Sequence, residues 1–152
     1  VTSTTGRADH DLHRRIAVIL NARGQQYTPA RRAIVDALAR SGRPATIGEL
    51  LTAADGLAAS TAYRNLTVLS EAGVVTRVSG ADEFGRFELS EQYGGRHHHH
   101  VVCTDCGLVL DTGAPPRLEA ALADMMRAVA KADGFDITGH HLELVGRCTS
   151  CR

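Results

Sequence analysis

Two kinds of metal-ligating residue are packed into one short stretch, Arg96-His97-His98-His99-His100-Val101-Val102-Cys103-Thr104-Asp105-Cys106. Four consecutive imidazoles run into a Cys-x-x-Cys pair, and a second pair, Cys148-Thr149-Ser150-Cys151, follows about forty residues later. A Cys-x-x-Cys turn brings two sulfurs close enough to chelate one ion, and two such turns complete a tetrahedron around Zn²⁺. A thioredoxin-type redox pair would account for either turn alone, but not for both. In a reducing cytosol disulfides are the weaker explanation. Cys103, Cys106, Cys148 and Cys151, the chain's four cysteines, are therefore expected to hold a structural zinc ion.

The imidazoles call for a strand. Val101 and Val102 are β-branched, and side chains on a strand alternate between its faces. His97 and His99 would then share one side and His98 and His100 the other, so one short strand could donate two ligands to each of two metal sites. A histidine run at a terminus would suggest an expression tag, but this one lies between two structural segments. Each pair needs further donors. Glu88, Asp111, Glu119 and His140 are the oxygen and nitrogen donors on flanking elements that could reach them. Taken singly, Glu119 also reads as a helix-surface acid and His140 as a core histidine bordering Leu142.

Helices and strands must position these groups. Residues 1–8 are small and polar and are expected to be unstructured. Leu12, Ile16, Ile19 and Leu20 recur at helical spacing, giving a first helix that Gly24 stops. Thr28-Pro29 starts a second, with threonine as N-cap and proline in the first turn, burying Ile34 and Leu38 before Gly42. Thr46-Ile47-Gly48-Glu49 has the form of a capping box and opens a third helix with Leu50, Leu51 and Ala54 inward. Ser60 is expected to cap a fourth, buried along Ala62, Leu66 and Leu69 and ended by Gly73. Val74–Val78 and Phe84–Leu89 read as strands joined by a turn through Gly80-Ala81-Asp82. Helices followed by a hairpin make a winged helix-turn-helix, whose last helix enters the major groove while the hairpin lies along the backbone.

Beyond a linker at Glu91–Arg96, strands are expected around His97–Val102, Leu108–Asp111 and Ile137–Val145. Between the last two, a helix follows Pro115-Pro116 with Leu118, Leu122, Met125 and Val129 on one face. At 152 residues and 43% hydrophobic, the chain can fold as one domain or two small ones. Its formal net charge of zero imposes no global demand for nucleic acid. The first fifty residues, however, hold about twice as many arginines as acids, a mild hint of a phosphate-facing surface. No apolar run approaches the ~20 residues of a membrane span, and no signal-peptide core is visible, so a soluble, cytoplasmic protein without a membrane partner is expected.

Ser60, Thr61, Tyr63, Arg64 and Thr67 fall outside the buried stripe of the fourth helix. Arginine can fork onto guanine or clamp a phosphate, and a tyrosine ring can pack on a thymine methyl. The same pair would equally suit a solvated helix face. Arg15, Arg31 and Arg32 are candidate phosphate contacts, though each also reads as an ordinary surface arginine.

Across nearly its whole length the chain resembles the ferric uptake regulator (Fur) family of bacterial metal-responsive repressors. The segments that carry the resemblance are Tyr27-Thr28-Pro29-Ala30-Arg31, Ser60-Thr61-Ala62-Tyr63-Arg64-Asn65-Leu66, Phe87-Glu88-Leu89, His97–Cys106, and Gly134-Phe135 through His140 to Leu142 and Cys148. The resemblance implies an α+β protein and a homodimer on double-stranded operator DNA. Its winged-helix DNA-binding domain would span 1–91, with a linker at 92–96 and a metal-binding α/β dimerisation domain at 97–152. The family's structural zinc maps onto the four cysteines. Its sensor site, holding Zn²⁺, Fe²⁺ or Mn²⁺, maps onto Glu88, His98, His100 and Asp111. A further site maps onto His97, His99, Glu119 and His140.

The chain also departs from family patterns. Iron-type members carry a histidine before the third helix, where this chain has Arg43-Pro44-Ala45; Asp82 or Glu83 in the wing turn could substitute. Zinc-type members often place a cysteine near Glu88 and an aspartate near Thr76, and both are missing. About three extra residues around Tyr93-Gly94-Gly95 lengthen the path to the histidines. Asp111 is an acid seen in peroxide sensors, which keeps a peroxide-sensing regulator of the same family as the alternative. A zinc hydrolase would need an open water position and a general base, and no base can be named. A metal-storage protein would explain the histidines but not the winged helix.

Overall fold

A computed structural model describes residues 4–78, 85–94 and 97–152, the first six of these as backbone only. The chain divides into two compact units, Val1–Arg96 and His97–Arg152. The first holds helices α1 (Thr4–Ala22), α2 (Pro29–Ser41), α3 (Ile47–Ala53), α4 (Ala59–Glu71) and the single turn α5 (Glu91–Gly94), with strands β1 (Ala45–Thr46), β2 (Val75–Val78) and β3 (Arg86–Leu89). The second holds β4 (His99–Cys103), β5 (Val109–Thr112), α6 (Pro116–Asp133) and β6 (Glu143–Gly146).

In the first unit, α2, α3 and α4 bury one stripe each: Ile34, Val35 and Leu38, then Leu50, then Leu66 and Leu69. Ile16 and Leu20 of α1 and Val74, Val75 and Leu89 of the hairpin close the same core. The helix starts follow the sequence. Thr28 caps α2 by accepting the Arg31 N–H, and Gly42 ends it in the left-handed region at φ 60°. Thr46 and Glu49 form the full capping box at α3. The hairpin pairs β2 and β3 antiparallel from Val75↔Leu89 to Val78↔Arg86. The two-residue β1, too short to show a pattern in sequence, completes a β1-β3-β2 sheet.

The second unit is a three-stranded sheet of order β5-β4-β6. β4 runs antiparallel to β5 and parallel to β6, the parallel pairing being reached through α6. Its buried residues are few: His99, Val102, Cys103, Gly107 and Val109. No residue of α6 is fully buried, and of the expected apolar face Leu122 and Val129 are half-buried while Leu118 and Met125 are exposed.

Several boundaries differ from the sequence reading. α1 begins at Thr4 rather than near Leu12, because extending a helix already anchored by Ile16 and Leu20 costs little per added residue. Ser60 lies inside α4, whose N-cap is Ala58 without a side-chain bond. The two alanines, good helix formers, carry the helix back past the serine. The expected linker includes the α5 turn, its amides at Tyr93 and Gly94 bonded to the Ser90 carbonyl. β4 starts at His99, and β6 spans only Glu143–Gly146, leaving His140 before the ladder. Phe84, the Gly80-Ala81-Asp82 turn, Glu83, Gly95 and Arg96 lie outside the described residues.

The capping box is testable. Burial pushes the Glu49 carboxyl up, but Arg43 Nη2 at 2.5 Å and the Thr46 N–H at 2.7 Å outweigh that and hold it below its ordinary 4.5. A depressed folded value means a stabilising contribution present above about 4.5 and lost as pH falls through the folded value. Thr46→Ala is expected to cost about 1 kcal/mol in urea unfolding at pH 7. Glu49→Gln should also lower the urea midpoint at pH 7, and the gap to wild type should close on acidification below 4.5; a gap independent of pH would refute the linkage.

Candidate metal centres

The parallel pairing of β4 with β6 sets Cys103 opposite Gly146, so the turns that follow both strands meet. The Cys106 and Cys148 sulfurs are 3.7 Å apart, and one ligand atom from each of the four cysteines lies within 4.8 Å of the others. With Zn–S bonds of about 2.3 Å, a tetrahedral site has S···S edges of about 3.8 Å, so this donor set fits zinc. All four cysteines are free thiols. Backbone N–H groups of Cys106, Cys148 and Asp105 hold the Cys103 thiol down to about 6, while crowding by Cys148 and the other sulfurs pushes Cys151 up to about 12. One sulfur thus ionises readily and another resists ionisation, a conflict that a divalent cation relieves.

Sequence reading missed what joins the two turns. Arg147 Nε donates to Asp105 Oδ2 at 2.7 Å, and the Thr104 amide donates to the Gly146 carbonyl at 2.8 Å. An acid in one turn and a base beside the other were the available signal.

The pleat of β4 sends His99 to one face and His100 to the other, and His97 and His98, just before the strand, divide between the same two donor sets. On one face, one ligand atom each from His97, His99, Glu119 and His140 lies within 4.8 Å of the others. Glu119, in the first turn of α6, accepts from His99 Nε2 at 2.6 Å and lies 3.5 and 3.4 Å from the His97 and His140 Nε2 atoms. His99 is buried, and its hydrogen bond is the main cause holding the Glu119 carboxyl below its ordinary range. Three imidazoles and one carboxylate suit a divalent transition metal.

On the other face the ligand atoms of His98, His100 and Asp111 also lie within 4.8 Å of one another. Register explains Asp111: it sits directly across from His100 on β5, Nε2 to Oδ1 being 3.9 Å. Three donors leave coordination positions to be filled. Glu88 belongs to the first unit, on β3 across from Thr76. Arg43, of the Arg43-Pro44-Ala45 stretch, is a cation and donates to Glu49.

On α4, Ser60, Tyr63, Arg64 and Thr67 are exposed, and Thr61 is half-buried. Tyr63 and Thr67 border a groove of about 770 Å³ lined also by Ile47, Arg77 and Phe87. Arg64 Nε donates to the Ser60 carbonyl at 3.3 Å, lying along the helix surface. Arg15 is exposed, donates to the Gln92 carbonyl and stands 5.1 Å over the Tyr93 ring. Arg31 departs from the expected phosphate contact. It is buried, and its guanidinium is occupied by Asn65, Gln25 and the Gln26 carbonyl.

A winged-helix unit followed by a unit with clustered metal ligands defines a metal-responsive transcriptional regulator. The chain belongs to the ferric uptake regulator family, whose model matches residues 22–145. It is similar to the peroxide-responsive repressor PerR of Staphylococcus epidermidis, 29% identical over 148 residues that cover 95% of this chain and 92% of that protein. The PerR of Staphylococcus aureus matches at 29% over 148 residues as well. Among solved structures, the Helicobacter pylori ferric uptake regulator Fur shares the fold with a TM-score of 0.74 at 20% identity, covering 94% of this chain and 93% of that one. The Vibrio cholerae ferric uptake regulator (Fur) gives 0.66 at 29% identity, covering 85% and 96%. The fold is accordingly an N-terminal winged-helix DNA-binding domain and a C-terminal dimerisation domain. Family members are transcriptional regulators rather than enzymes, and the hydrolase alternative falls away.

Cys103→Ser is expected to lose about one tightly held zinc per chain and to lower the thermal midpoint, since a structural ion contributes folding energy directly. Normal zinc content with a normal midpoint would rule that role out. Glu119→Gln should remove a separate, chelator-labile equivalent while the tight zinc remains; unchanged total metal would dissolve the second centre.

Proposed function

We propose that this regulator is a repressor that binds operator DNA as a homodimer when a sensor site of Glu88, His98, His100 and Asp111 holds Zn²⁺, Fe²⁺ or Mn²⁺. The observation that carries the reading is the division of the four histidines 97–100 between two donor sets. A lone structural site needs the cysteines only. Two further sets built around one histidine run suit a protein whose state depends on metal supply. In this reading His98, His100 and Asp111 offer an incomplete shell from the dimerisation domain, and Glu88, at the end of the wing, completes it from the DNA-binding domain. A divalent cation supplies the positive charge that both carboxylates and the imidazole lone pairs satisfy together. His97, His99, Glu119 and His140 form an additional metal site, and the four cysteines hold the structural zinc.

Dimerisation is supported by apolar surface left open in the second unit. Leu144 and Val145 of β6 are 53% and 68% exposed, Met125 of α6 is 56% exposed, and Phe135 just beyond it is 67% exposed. Exposed apolar side chains of this kind are what an interface with a second copy would cover. No helix among the described residues is long and apolar enough to cross a membrane. On the DNA-binding side, Ser60, Thr61, Tyr63 and Arg64 face the major groove, and Arg15 contacts the backbone.

Imidazole and carboxylate donors suit all three metals, and affinity order alone does not choose among them. One specific observation favours a second reading, peroxide sensing: the similar staphylococcal repressors are named peroxide-responsive.

A single assay addresses both. Protein retaining the cysteine-bound zinc but stripped of other metal is titrated with buffered Zn²⁺, Fe²⁺ or Mn²⁺ and its operator affinity followed. At least one metal is expected to raise affinity about tenfold or more, and Glu88→Ala to abolish that gain while dimer and zinc content persist. A gain untouched by Glu88→Ala removes that residue from the switch, and no response to any metal removes the sensor. Peroxide should release DNA from the iron-loaded form but not the manganese-loaded form if peroxide is sensed.

A further inference from the structure

The segment carrying Arg31 reads in sequence as a phosphate-facing surface, but the side chain is turned inward and fully engaged. Nε donates to Asn65 Oδ1 at 3.0 Å, Nη2 to Gln25 Oε1 at 3.0 Å, and Nη1 to the Gln26 carbonyl. Its own amide is held by the Thr28 cap. Asn65 in turn donates through Nδ2 to the Thr61 carbonyl at 2.8 Å. One guanidinium therefore fastens the start of α2, the loop before it and the N-terminal half of α4 to one another.

A second observation shows why α4 needs such a fastening. Its N-cap, Ala58, offers no side-chain bond, whereas α2 and α3 are both capped by threonine. Within its first two turns only Ala62 and Leu66 are buried, and Ser60, Tyr63 and Arg64 are exposed. The N–H groups that open α4 thus lack the side-chain acceptor that a threonine supplies at α2 and α3, and a loose first turn would blur the side chains proposed to read bases. The fork geometry matters because three acceptors in three directions are met at once, which a lysine ammonium on a flexible stem cannot do in the same place.

We infer that Arg31 is a positioning residue for DNA recognition, setting the placement of α4 through Asn65, and that it makes no phosphate contact. This rests on the operator-binding reading above. The two roles differ in how binding responds. A phosphate contact contributes equally on any sequence and adds about one to the salt slope. A positioning residue acts on sequence discrimination and leaves the salt slope alone.

The test uses full-length, metal-loaded protein on two duplexes: one enriched from a random-sequence pool by the wild type, and a scrambled version of it. Arg31→Lys, Asn65→Ala and the double variant are compared over a range of salt. Each single variant is expected to lower the ratio of specific to scrambled affinity about tenfold, the loss typical of a charged hydrogen bond. The double variant should lose little more than either single, and all salt slopes should match wild type. Retention of affinity and ratio by Arg31→Lys would overturn the inference in favour of a phosphate contact. Equal losses on both duplexes, as from a smaller folded fraction, would also overturn it. Wild type that enriches no sequence with any of the three metals would instead defeat the operator reading itself. Arg64→Ala serves as the contrasting control, with a salt slope reduced by about one if Arg64 clamps a phosphate.

Discussion

Much of the second unit hangs on how β4 pairs. Its antiparallel partner brings Asp111 across from His100, and its parallel partner brings Gly146 across from Cys103. Because a strand alternates its faces, the same five residues present His99 to one side and His100 to the other before ending in a cysteine. A register slip of one residue would exchange the histidine faces and separate the two Cys-x-x-Cys turns together. The parallel pairing resists such a slip because β6 leads directly into Cys148, and the Thr104 and Asp105 links to Gly146 and Arg147 act beyond the last ladder bond.

The two units meet the cost of folding differently. The first buries an apolar cluster drawn from α1 to α4 and its hairpin. The second, with three small apolar side chains and one histidine buried, cannot draw comparable stabilisation from burial. What it has is donor density. Four sulfurs crowd at one end of its sheet, and three imidazoles around a carboxylate tie α6 to it, the helix having no buried residue of its own. In small units of this kind metal coordination commonly replaces core.

Legibility in the sequence followed the range of the interaction. Thr28, the Thr46–Glu49 box and Gly42 are local signals, and the helices start or stop there. The alternation of the histidines is equally local, following from the strand alone. The pairing of Glu119 and His140 with His97 and His99 depends on where α6 and the chain before β6 return, which spacing could only leave as one choice among several donors. β1 was invisible because two residues carry no period. The burial of Arg31 was not legible because arginine is usually exposed; two of its acceptors lie in the loop just before α2, but the third, Asn65, is on a helix 34 residues on and only the fold brings it there.

How firmly α4 is held bears on how a metal signal would reach DNA. Metal can shift a conformational equilibrium by no more than its difference in affinity between the two states. If α4 were loosely held, part of any such shift would be dissipated in fluctuations of the recognition helix itself. Arg31 and Asn65 remove that freedom by tying α4 to the start of α2, so the unit meets DNA as one body. In the proposed switch Glu88 is the ligand drawn from this body, on the strand that pairs with both β1 and β2 at the centre of its sheet. A pull at Glu88 would then be transmitted to a sheet that shares its core with α4. In that proposed switch, rigidity inside the DNA-binding unit and a sensor shell left open on the His98, His100 and Asp111 side would be complementary requirements. The first lets a single carboxylate carry the signal, and the second gives that carboxylate something to complete.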